Sequence, residues 1–161
     1  MSKKELKTNA MRFLEKNKIP YKMQTYECDE FIDGIQTADL LGLPHEQMYK
    51  TLVTIGKSKE YYVFLIQIEE ELDMKKSAKA VREKSLEMLP LKDLTQVTGY
   101  VRGGCTAIGM KKQFKTIIDQ TAEYYPQIYI SGGKIGMQLT IEPKLLAQVT
   151  QANFIDIIKQ T

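Results

Sequence analysis

The spacing of apolar positions changes several times along the chain, and each change predicts an element. Leu6, Ala10, Phe13 and Leu14 fall on one helical stripe that breaks between Asn17 and Pro20, which predicts an amphipathic helix over 3–17. Tyr21 to Glu27 alternates as a strand, Asp29 to Gly34 reads as a turn, and Ile35 to Leu43 returns to helical spacing until Pro44 stops it. Met48-Tyr49-Lys50-Thr51-Leu52-Val53-Thr54-Ile55 then reads as a strand, Gly56 to Lys59 as a hairpin turn, and Tyr61 to Ile66 as a very apolar second strand.

Downstream, residues 74–84 read as a basic helix and Pro90 to Gln96 as another, with Pro90 tolerated at its start. Strands follow at Thr116 to Asp119, Gln127 to Ser131 and Gly136 to Glu142, with short helices at Ala122 to Tyr124 and Pro143 to Gln148. No repeat, linker or low-complexity stretch interrupts the series. The expectation is one α/β domain of the α+β type over residues 1–161: a mostly antiparallel sheet or barrel of about seven strands, surrounded by helices.

Composition narrows the class without naming a chemistry. The 161 residues are 43% apolar and 27% charged, the balance of a globular protein with a real core. No apolar run is long enough to span a bilayer and the start lacks a signal-peptide stretch, so a cytoplasmic location is expected. Cys28 and Cys105 are far apart and form no C-x-x-C pair, so they read as free thiols. With His45 the sole histidine, no H-E-x-x-H motif is completed, and neither a metal nor any other cofactor is expected. Phosphate-binding P-loop, G-x-G-x-x-G and G-x-S-x-G motifs are also missing.

Lys50 stands out among what remains. Strand alternation puts it on a face with Met48 and Leu52, while Thr51, Val53 and Ile55 take the other, so both faces carry apolar side chains. A charge so placed needs a partner or a ligand, although an edge-strand lysine reaching water would give the same pattern. Tyr26 and Thr51 add hydroxyls, and the pairs Gly103-Gly104 and Gly132-Gly133 either turn hairpins or bare backbone N–H groups to a ligand. Cys105 lacks an evident activating base and reads as a small buried residue. Lys75, Lys79 and Arg82 fall on one helical face, and Lys111, Lys112 and Lys115 form a second basic cluster. Both suit phosphates, and both suit a merely solvated surface.

Four blocks read together go further: Tyr49-Lys50-Thr51-Leu52, Leu72 to Lys79, Thr98-Gly99-Tyr100-Val101-Arg102-Gly103-Gly104, and Tyr129 to Gly136. In this order, over nearly the whole chain, they resemble the YbaK/EbsC family of aminoacyl-tRNA deacylases, which are related to the editing insertion domain of bacterial prolyl-tRNA synthetase. The likeness is nearest the type that removes cysteine mischarged on proline tRNA. It implies that Lys50 is the essential lysine and that Gly103 and Gly104 donate N–H groups to the ester carbonyl. It further implies that Tyr26, Thr51, Ser131, Gly132, Gly133 and Gln138 line the substrate pocket, and that Lys75, Lys79, Arg82, Lys111 and Lys112 meet the tRNA.

The same resemblance accounts for the missing catalytic residues, because it implies that the substrate's own thiol attacks its ester. Mischarged proline tRNA is the implied partner, with prolyl-tRNA synthetase as a transient one. The chain departs from the family where Thr106-Ala107 replaces Ser-Pro, where Ile135 replaces Arg, and where Gln138 replaces Asp. These departures leave two rivals: a deacylase for another small aminoacyl group, such as alanine on proline tRNA, and a non-catalytic module that binds tRNA or a synthetase.

Overall fold

The computed structural model describes residues 7–27 and 32–160, so Cys28, residues 3–6 of the expected first helix and residues 29–31 of the expected 29–34 turn lie outside the described residues. A hairpin organises the larger sheet. Strands β2 (Tyr49–Gly56) and β3 (Tyr61–Gln67) pair antiparallel, with Lys50 opposite Ile66 and Ile55 opposite Tyr61. β3 then pairs in parallel with β5 (Lys115–Asp119), and β5 in parallel with β8 (Asn153–Ile155). On the far edge of β2 lies β4 (Leu86–Met88), giving the order β4-β2-β3-β5-β8.

A smaller antiparallel sheet has β7 (Met137–Ile141) between β1 (Lys22–Thr25) and β6 (Ile128–Ser131). One parallel bridge, Met48 to Tyr129, ties it to the start of β2. The barrel alternative is therefore corrected: among the described residues, eight strands form two open sheets. The strands not anticipated are β4 and β8, each only three residues long. Three residues hold too little alternation to read a period.

The core explains why β3 reads as an unbroken apolar run. Its Val63 and Leu65 join Ile118, Ile128, Ile130 and Leu139 between the sheets, where α1 (Asn9–Lys16) and α5 (Pro143–Thr150) add Leu14 and Leu146. Its Phe64 and Ile66 face the other way, onto Ile117, Ile157 and the Ala78 and Val81 end of α3 (Met74–Ala80). A strand covered on both faces has no polar side to show.

Two helix ends differ from expectation for local reasons. The basic helix predicted over 74–84 stops at Ala80: Arg82 takes a left-handed φ of 61°, and the Glu83 N–H reaches back to the Ala78 carbonyl. Glu83 is held away from the helix by Ser58 and by the Tyr62 hydroxyl at 2.6 Å. The segment expected from Pro90 begins as a 3-10 turn, Leu91–Asp93, and continues as α4 (Leu94–Thr98).

Candidate active site

The gap in the larger sheet makes the site. Along its outer edge β2 pairs with β4 only over Thr54 to Gly56, and Met48 touches Tyr129 at the other end. Between those contacts the Lys50 to Leu52 stretch borders a cleft of about 400 Å3. Around it stand Ser131 and Gln138 from the small sheet, Tyr26 directly after β1, and Arg102, Gly103 and Cys105 from the first glycine loop. Asp33, Gly34 and Thr37 come from the start of α2 (Gly34–Leu41), and Leu91 and Leu94 from the α4 segment.

Lys50 is half-buried, with its ammonium donating to the Ile68 carbonyl at 3.2 Å. Its strand partners Ile66 and Leu52's partner Phe64 are fully buried, so the stem runs over apolar ground. Burial pushes its pKa below the ordinary lysine value, while Glu71, Glu70 and Asp33 oppose that shift through their charge. The result is a cation that is poorly solvated and incompletely neutralised, which favours an anionic or carbonyl ligand.

Two residues of the cleft lining carry a buried oxygen with no hydrogen-bond partner among the described residues. Thr51 faces away from Lys50, and its Oγ1 is enclosed. Gln138 sits in β7 between Gln24 and Ser131, is only 7% exposed, and its Oε1 is equally enclosed. Burying an unsatisfied oxygen costs on the order of 1–3 kcal/mol.

The glycine pairs divide the work unequally. Gly103, at φ 87°, borders the cleft, and its N–H finds no acceptor among the described residues. Gly104 does not face the cleft: its N–H donates to the Val101 carbonyl at 3.0 Å, and a Cβ there would lie 2.9 Å from the Lys134 backbone. Gly104 is thus where the two glycine loops meet. Gly132 and Gly133 also stand back from the cleft, with the Gly132 carbonyl accepting from the Thr8 hydroxyl at 2.6 Å.

Of the expected basic residues none lines this cleft. Lys75 and Lys79 are exposed on α3, and Arg82 lies beyond that helix in its left-handed turn, so the three do not share one helical face. Lys111 donates to the Gln96 carbonyl at 3.1 Å, with Lys112 exposed beside it on the far side of α4. Arg102 is the cleft cation that sequence reasoning passed over, although its place directly before Gly103 was a usable signal. Leu91 and Leu94 gave none, because a short apolar pair in a loop has no period.

The cleft holds no nucleophile paired with a base. Burial pushes the Cys105 thiol up to about 12, so thiolate is scarce at neutral pH. His45 is outside the cleft, clamped at 2.7 Å by both Asp39 and Glu69. No group of three or more metal-ligating side chains occurs among the described residues, nor does any helix there have the length and apolarity to cross a membrane.

Comparison with known proteins shows the family and the fold. A curated relative from Enterococcus faecalis, EbsC, provisionally named a Cys-tRNA(Pro)/Cys-tRNA(Cys) deacylase, is 44% identical over 96% of this chain and 95% of its own. Among solved structures, one described as a provisional trans-editing enzyme for prolyl-tRNA synthetase superposes with a TM-score of 0.81 at 22% identity, covering 97% of this chain and all of its own. The hypothetical protein APE2540 superposes at 0.85 with 16% identity, over 94% of this chain and 99% of its own. Both show the fold. Residues 33–149, which carry Lys50, both glycine loops and Gln138, match the model of the aminoacyl-tRNA editing domain. This chain is a member of the aminoacyl-tRNA editing domain family.

Proposed function

We propose that this chain deacylates mischarged tRNA in trans, and that its principal substrate is cysteine esterified to proline tRNA. The observation that carries the reading is the cleft itself: the under-solvated Lys50 and the open Gly103 N–H share a lining with Thr51 and Gln138, where no nucleophile and base are paired. Such a site positions and stabilises charge, and it leaves the attack to the substrate. The name of the E. faecalis relative supports the choice of cysteine.

In this reading the cysteinyl sulfur attacks the ester carbonyl carbon. The C–S bond forms, the bond to the ribose oxygen breaks, that oxygen takes up the thiol proton, and a thiolactone leaves. Holding thiol and ester in register is worth roughly 7–11 kcal/mol in well-oriented intramolecular reactions. Lys50 and the Gly103 N–H meet the charge developing on the carbonyl oxygen, while Gln138 and Thr51 form part of the wall around the aminoacyl group. Gly104 keeps the loop in place through its contact with Lys134. Burial that strips water from Lys50 also strengthens its pull on that oxygen.

The chain would work on whole tRNA in the cytoplasm as one catalytic domain over residues 1–161, with prolyl-tRNA synthetase as a transient partner that supplies tRNA selectivity. A deacylation assay over proline tRNA charged with cysteine, alanine or proline tests the proposal. Cysteine should be released fastest, and Lys50→Ala should slow the release by about 10²-fold or more. Undiminished hydrolysis by Lys50→Ala would remove the assigned role, and preference for alanine would transfer the reading to that substrate.

A further inference from the structure

The Leu91–Thr98 segment has a second face that the reaction does not use. Leu91 and Leu94 border the cleft, while Asp93, Gln96 and Val97 wall a separate open hollow of about 530 Å3 with Tyr61, Lys112 and Phe114. Tyr61 and Phe114 meet edge to face, centroids 5.5 Å apart and planes at 73°, and both rings remain partly exposed. In that arrangement the ring that presents its edge keeps both of its own faces uncovered by its partner. Asp93 occupies the residue before α4, the usual place of a capping carboxylate, yet its side chain makes no capping bond. Lys112 is exposed and has no ion-pair partner among the described residues.

Charge also restricts the route by which an RNA end can reach the cleft. Asp33, Glu70 and Glu71 act on Lys50 through their charge and repel phosphates near them. Arg102, Lys111 and Lys112 follow α4 in the chain, and two of these three side chains are placed by the cleft mouth and the hollow themselves. A single strand that arrives over α4 passes the hollow before its terminal nucleotide enters the cleft.

We propose that this hollow seats a cytosine of the single-stranded C-C-A end, just before the terminal adenosine; the inference rests on the deacylase reading. The pyrimidine stacks on the Tyr61 and Phe114 pair, its exocyclic amino group donates to the Asp93 carboxylate, and the adjoining phosphate meets Lys112. Asp93 discriminates chemically, because uracil presents a carbonyl oxygen where cytosine presents that donor.

Two measurements test it. Binding of uncharged, fluorescently labelled oligonucleotides ending in C-C-A or U-U-A should differ by about tenfold for the wild type; Asp93→Asn should erase most of the difference, and Phe114→Leu should weaken both about equally. In hydrolysis, both variants should raise KM for Cys-tRNA roughly tenfold with kcat unchanged. Neither should alter turnover of the cysteinyl ester of adenosine, which lacks the cytosines. Equal binding of the two oligonucleotides by the wild type, unaltered KM in the variants, or equal slowing of the adenosine ester overturns the proposal. If the wild type hydrolyses neither ester, the deacylase reading fails, and the oligonucleotide preference still decides the seat.

Discussion

Lys50 concentrates the physical tension of the molecule. Burial lowers its pKa, so between that lowered value and the ordinary lysine pKa near about 10.4 the folded chain binds fewer protons than the unfolded one. Stability therefore rises with pH across that interval, because ionised Lys50 burdens the folded state below it. Lys50→Met keeps the apolar stem and removes the charge. At neutral pH it should melt on the order of a few degrees above the wild type, with the gap narrowing as the pH climbs toward 10. Thermal melts at neutral and alkaline pH check this, and a lower-melting Lys50→Met at neutral pH contradicts it. Under the proposed function, a residue that weakens the fold and borders the cleft has its rationale in the reaction.

At the scale of elements, the site depends on how loops and a helix are held. A methyl group at Gly104 would press on the Lys134 backbone at 2.9 Å and separate the two glycine loops. Gly104→Ala should therefore keep its circular dichroism and lose deacylation by tenfold or more, a misplacement effect rather than lost chemistry. Helix α2 brings Thr37 to the cleft, and its Asp39 is tied through His45 to Glu69. Bonds to Glu69 and Asp39 raise the His45 pKa above its ordinary value. The stabilisation is then fully present below about pH 6.5 and is lost as pH rises through the raised folded value. His45→Gln should melt below the wild type at pH 6 and converge with it toward pH 9. A gap that widens with pH refutes the clamp.

The whole molecule is joined through a buried carboxylate that no motif announces. Asp119, fully buried at the end of β5, accepts from the Thr121 N–H and hydroxyl and from the Ile157 N–H, while the Thr121 hydroxyl also meets Tyr49 at 2.7 Å. Asp119 thus joins the end of β5 to the 157 region, and Thr121 extends the network to β2. Asp119→Ala would orphan those donors, and chemical denaturation should register a loss of about 3 kcal/mol. A loss under 1 kcal/mol would show that these donors find water instead.

Alternation and helical spacing were enough to place β2, β3, β5, β6, β7 and α5, because each carries its period over four or more residues. Lys50, Tyr26, Thr51, Gly103, Ser131 and Gln138, named from local pattern and family order, all border one cleft. Strands β4 and β8 escaped because their partners, not their own residues, make them strands. Which glycine N–H stays open was decided by the Val101 and Lys134 contacts of Gly104, and the basic residues were distributed by a helix that Glu83 ends early. Short-range periodicity is written in neighbouring residues. A cleft is made by the strand pairing that is missing beside Lys50, and a missing long-range contact leaves no mark on the local sequence.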